Sequence, residues 1–152
     1  MDCFPTTLQE LVVNGHFFKA NIGVYDLLGE LPELTLLNLD FNLLTFEETG
    51  HSKTGLSRFL ETAPKLWNLS LANNPLKRFD EDLTAPIVVL NLAETELKQI
   101  PPHLPSSVEH LVLDGNDFAN IPAFSFKECT KLTSLSLVGN KVSPISPFLN
   151  LL

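Results

Sequence analysis

The sequence predicts an α/β repeat solenoid with a parallel sheet of about six short strands on one side. Two observations predict it. An eleven-residue frame, L-x-x-L-x-L-x-x-N-x-L, recurs along the chain, and the segments joining its copies pass from helical patterns in the first two to Pro-punctuated patterns after Leu97 and Phe118. A third observation removes the main competitors. The 152 residues are 44% apolar and 18% charged, which suits one globular domain rather than a disordered chain.

Six copies of the frame begin at Leu8, Leu34, Leu66, Ile87, Val108 and Leu132, reading LQELVVNGHFF, LTLLNLDFNLL, LWNLSLANNPL, IVVLNLAETEL, VEHLVLDGNDF and LTSLSLVGNKV. A strict test asks for Leu at the fourth and sixth positions, Asn at the ninth and apolar ends. Composition alone gives roughly 0.1 such windows. Four occur, starting at Leu34, Leu66, Val108 and Leu132. The ninth position holds His16 in the first copy and Thr95 in the fourth, and both side chains keep a hydrogen-bond donor that can stand in for Asn. The starts lie 26, 32, 21, 21 and 24 residues apart.

The leucines of each L-x-L share one face of a short strand, so stacked copies bury a Leu column that no copy buries alone. Strands are expected near Glu10–Val13, Leu36–Leu39, Asn68–Leu71, Val89–Leu92, His110–Leu113 and Ser134–Leu137. The Asn column should point inward and serve backbone groups at the turn after each strand. Val24-Tyr25-Asp26-Leu27-Leu28 and Leu56-Ser57-Arg58-Phe59-Leu60 have helical apolar spacing, whereas the returns after Leu97 and Phe118 open near Ile-Pro and should be extended or a single tight turn. Phe46, Phe59, Phe79 and Phe126 are expected inside the returns. The polar loop Glu47 to Gly55 reads as an exposed insertion, with a rim binding loop as the alternative.

From about Leu8 to Val142 the chain resembles the leucine-rich-repeat family. Ile100-Pro101-Pro102-His103-Leu104-Pro105-Ser106-Ser107-Val108 and Ile121-Pro122-Ala123-Phe124-Ser125-Phe126 look like repeats of extracellular matrix proteoglycans and Toll-like receptor ectodomains. Some bacterial repeat proteins share a similar turn. The resemblance implies a horseshoe arc with a concave parallel sheet and mixed short-helix and extended convex returns. Residues 1–152 form a single repeat domain on this reading. Polar caps are expected at the ends of such an array. No cysteine-rich cap precedes Leu8, and Phe148 to Leu152 is apolar, so the domain reads as incomplete at both ends. Uncapped ends would favour self-association.

Eighteen acids against ten bases give a formal charge of −8, which excludes the counterion-displacing surface of a nucleic-acid binder. No apolar run is long enough for membrane insertion by this segment. The sequence holds no Walker loop, G-x-S-x-G, H-E-x-x-H or C-x-x-C, so no enzyme activity, metal or cofactor is implied. Cys3 and Cys129 fall four repeats apart and are expected to be unbonded to each other, with Cys129 buried.

The function is therefore expected on the concave face, at the third, fifth, seventh and eighth positions of the frame. These 24 positions hold four carboxylates, Glu10, Asp40, Glu94 and Asp114, and no Lys or Arg. The candidate partner-binding set is Leu36, Asn38, Asp40, Phe41, Val89, Asn91, Glu94, His110, Val112 and Asp114. Apolar anchors among carboxylates suit a protein or peptide ligand with basic residues. Against this stands an acidic chain that carries acids everywhere and leaves the face unused. Asn68-Leu69-Ser70 is the one N-glycosylation sequon and makes Asn68 a candidate glycosylation site, against a chance match on a strand.

The favoured class is an interaction module of an extracellular or cell-surface protein. A cytosolic scaffold or adaptor is the alternative, favoured by a start, Met1-Asp2-Cys3-Phe4-Pro5, that lacks a signal-peptide pattern if the chain is whole. The recognition part of a larger enzyme is the third reading.

Overall fold

The computed structural model describes residues 4–15, 28–45 and 55–142. Six strands form one parallel sheet in sequence order: β1 (Glu10–Val12), β2 (Leu36–Asn38), β3 (Asn68–Ser70), β4 (Val89–Asn91), β5 (His110–Val112) and β6 (Ser134–Ser136). The register aligns Leu11, Leu37, Leu69, Leu90, Leu111 and Leu135 in one column, as the L-x-L units require. Each strand is one residue shorter than expected. That next residue still extends the pairing in one direction: Val13, Leu39, Leu71, Leu92 and Leu113 each donate an N–H to the neighbouring strand at 2.9–3.0 Å.

The core is a stack of layers. The first, fourth and sixth frame positions of the second to fifth copies are fully buried or nearly so, and Leu76, Leu97 and Phe118 close the layers behind them. Phe59, Phe79 and Phe126 fill the interior of the returns as expected.

The Asn column is a hydrogen-bonded ladder. The Asn74 amide donates to Leu39 O and Leu71 O at 2.9 Å each, and its Oδ1 accepts the Leu44 N–H at 3.0 Å. Asn42, Asn116 and Asn140 each reach at least one carbonyl of their own repeat and one of the repeat before. Each rung thus serves backbone groups that burial has cut off from water. Thr95 replaces Asn as the spacing suggested. Its hydroxyl lies 2.8 Å from Leu92 O, but it is too short to reach the repeat before. The third return lacks an amide acceptor at that point. Leu76 and Arg78 instead donate their N–H groups to Asn74 O and Leu76 O, two residues back, in tight γ-type turns.

The returns differ in width. The second carries α1 (Gly55–Thr62), which buries Leu56, Phe59 and Leu60 at the expected helical spacing. Ser57 on α1 donates to the buried Glu81 carboxylate of the next return at 2.6 Å. The fourth return is extended and turned around Pro101 and Pro102. The fifth departs from the single turn expected. It makes three successive tight turns, with Ser125, Lys127 and Cys129 donating to carbonyls three residues back. Cys129 is buried and unbonded, and burial, with a smaller push from the Glu128 charge, raises its thiol pKa. Four expectations fall outside the described residues: the helix from Val24, the loop up to Thr54, the apolar segment Phe148 to Leu152, and the roles of Cys3, His16, Phe46 and His51.

Candidate functional site

The exposed face of the sheet is built by alternation. With the central Leu of each strand turned inward, the flanking residues face outward. The third-position column runs Glu10, Leu36, Asn68, Val89, His110, Ser134, in register across all six strands. His110 is exposed; Leu36, Val89 and Val112 are half-buried.

Beyond each strand the chain must turn so that the ninth residue points into the ladder. It does so through the same backbone state in every repeat. Gly15, Phe41, Asn73, Glu94, Gly115 and Gly139 all occupy the eighth position, and all have left-handed φ, from 54° to 91°. Gly and Asn accept that state readily, whereas a side chain such as Phe or Glu is strained there by ~1–2 kcal/mol. Phe41 is nonetheless 52% exposed, so its ring gains little core packing in return. The Glu94 carboxylate folds over Gly115, where any Cβ would collide with it.

The carboxylates divide into two kinds. Asp40 Oδ1 accepts the Ser70 hydroxyl at 2.6 Å and the Ala72 N–H at 2.8 Å, and Asp114 Oδ1 accepts the Val138 N–H at 2.8 Å. Asn38 and Asn91 accept the N–H groups of Asp40 and Ala93 from their own turns. These four polar members of the candidate set therefore brace the sheet as well as line it. Glu94 and His110 make no such bond among the described residues. Sequence reasoning missed Trp67, which is 43% exposed at the second position, where each repeat enters its strand. The frame treated that slot as filler, yet the chain's one Trp in a slot otherwise held by Gln9, Thr35, Val88, Glu109 and Thr133 was visible.

Asn68 sits mid-sheet between Leu36 and Val89, half-buried, with no side-chain hydrogen bond among the described residues. Ser70 of its sequon is buried and committed to Asp40. Among the described residues no His, Cys, Asp and Glu cluster could hold a metal, and no helix is long and apolar enough to cross a membrane.

No family model matches the chain. Osteomodulin of Bos taurus is 27% identical over 158 residues, which cover 92% of this chain and 37% of that protein. Oligodendrocyte-myelin glycoprotein of Homo sapiens is 26% identical over 167 residues, 93% of this chain and 36% of that protein. The chain has the fold of a leucine-rich-repeat arc and is similar in sequence to leucine-rich-repeat proteins. Keratocan of Danio rerio is 39% identical over a shorter stretch of 57 residues, 38% of this chain and 16% of keratocan. The chain spans little more than a third of the length of the relatives that match it end to end. Those relatives are matrix and cell-surface proteins, which supports an extracellular setting and lends none to the cytosolic alternative.

Proposed function

We propose that the chain is the partner-binding segment of an extracellular or cell-surface recognition protein, and that it binds a protein or peptide on its concave face. The observation that carries this reading is Phe41. Three of the other eighth positions are Gly and one is Asn, the residues the turn favours. A half-exposed Phe there is strained without compensating burial, and strain of this kind is retained where something other than folding uses it. An aromatic ring among half-buried aliphatic residues is the usual anchor of a protein contact.

The partner carries positive charge. Asp40, Glu94, Asp114 and Glu10 supply the face with negative potential, and none of its 24 positions is basic. Leu36, Asn38, Val89, Asn91, His110 and Val112 line the floor between Phe41 and the later repeats. Trp67 extends the contact toward the opposite edge. A glycan on Asn68 would cover Leu36 and Val89, so the reading requires Asn68 to be unmodified in the binding form.

Because Asp40 and Asp114 brace the sheet, charge reversal there would confuse structure with binding. Asp40→Asn and Asp114→Asn keep the accepting Oδ1 and remove only charge. The test is selection of peptides from a displayed random library on the immobilised chain. The expected outcome is a basic, aromatic- or aliphatic-containing set. Phe41→Gly should weaken it by about tenfold or more, and the paired Asn variants should lower its association rate and flatten its salt dependence. Selected peptides indifferent to all three changes would overturn the concave-face reading.

A further inference from the structure

The fourth and fifth returns have unequal shapes. The fourth bends at Lys98-Gln99 and makes one turn at Pro102-His103 before Leu104, while the fifth bulges through its three successive turns from Pro122 to Cys129. Neighbouring returns of unequal width cannot pack flush, and a cleft of about 420 Å³ lies between them. That is within the ~300–1,000 Å³ of ordinary ligand sites.

Its lining has three parts. Ile100, Pro101, Pro102, Leu104, Pro122 and the edge of Cys129 make rigid apolar walls. At the rim, Phe124 is 71% exposed and held at φ 65°, a left-handed state that a Phe occupies only under strain. Phe126, not Phe124, is the ring this return buries, so the fold gives Phe124 no core role. Lastly, the exposed Gln99 and Asn120 line the cleft, and their side chains make no hydrogen bond among the described residues. Ser125 spends its hydroxyl proton on Pro122 O, and Lys127 and Glu128 pair with each other at 3.4 Å, so the local charge cancels.

An exposed ring beside two uncommitted amides matches the two faces of a sugar. Its C–H face is apolar and lies flat on an aromatic ring, while its vicinal hydroxyls both donate and accept, as a planar amide does in reverse. A wholly apolar ligand would strip water from both amides without replacing its hydrogen bonds. An anionic one would find Lys127 already paired. We propose that this cleft is a second binding site, separate from the concave face, and that it takes a neutral di- or trisaccharide. Phe124 stacks on one ring, and Gln99 and Asn120 hold its hydroxyls.

The test is calorimetric titration of the full chain with N-acetyllactosamine, N,N′-diacetylchitobiose, cellobiose and maltotriose as probes. Saturable binding of at least one is expected. Phe124→Gly, which suits the left-handed backbone, and the double variant Gln99→Ala/Asn120→Ala should each weaken it about tenfold or more. Phe41→Gly should leave it unchanged, so failure here is separable from failure of the concave-face reading. Thermal midpoints within ~2 °C of the parent would show that the folds survive. Absence of saturable binding to all four sugars would overturn the proposal, as would binding that survives Phe124→Gly. So would an uncharged apolar dye, N-phenyl-1-naphthylamine, that binds through Phe124 and is displaced by no sugar.

Discussion

Leu111 and Leu135 hold the same place in consecutive strands, paired in register, yet Leu111 is 1% exposed and Leu135 is 37% exposed. Their own repeats are alike, VEHLVLDGNDF against LTSLSLVGNKV, and both keep the ladder Asn. What differs is the neighbourhood. Leu111 lies between Leu90 and Leu135, whereas β6 pairs on one side only within the described sheet. At this end of the sheet burial follows from the adjacent repeats rather than from a repeat's own sequence, which is the nearest-neighbour logic of solenoids.

The sharpest way to break that comparison is truncation at both places. Leu111→Ala should cost ~2–5 kcal/mol, because it opens a cavity walled on both sides. Leu135→Ala should cost less than ~1.5 kcal/mol, because much of its side chain already meets water. Equal shifts in urea midpoint would show that the two positions are equivalent.

The ladder gives a second contrast. Asn116 is buried, donates to three backbone carbonyls and accepts from Thr95 and Leu97, while Asn140 at the next rung is only half-buried. Asn116→Ala should therefore cost ~1–3 kcal/mol, and Asn140→Ala less, by the same denaturation measurement.

Phe41 sharpens the comparison from the other side, since its effect should be small and nearly neighbour-independent. Phe41→Gly relieves ~1–2 kcal/mol of backbone strain and returns part of that as unfolded-state entropy. A net gain below ~1 kcal/mol is expected. A loss above ~1 kcal/mol would mean that the ring serves the fold, and would remove the observation on which the proposed function stands.

The smallest effect belongs to an exposed pair. The Lys141 ammonium hydrogen-bonds Asp117 at 2.6 Å and, with its charge and that of Lys98, holds the Asp117 carboxyl below the usual aspartate range. A depressed folded value means that the contribution is present above the unfolded carboxyl's pKa of ~3.9 and is lost as pH falls through the folded value. Carboxyl NMR titration should show the Asp117 midpoint rising in Lys141→Ala, with global stability at neutral pH barely moved.

Most of this architecture was legible because it is periodic. The Leu column, the strand order, α1, the Thr95 substitution and the buried Phe59, Phe79 and Phe126 all follow from spacing. The surface was less legible, for physical reasons. Whether Asp40 is a free charge or a brace depends on Ser70 and Ala72, which lie 30 and 32 residues away and meet it only through sheet register. Trp67 escaped because the frame assigns its slot no role. The cleft beside Phe124 arises from a mismatch between two returns, and neither return shows it alone.

The most direct test of neighbour-conferred burial is native-state hydrogen exchange, followed strand by strand. Amides of β3, β4 and β5 should open together at the highest free energy, and those of β6 (Ser134–Ser136) should open separately at a clearly lower one. A single opening free energy shared by all six strands would contradict the account.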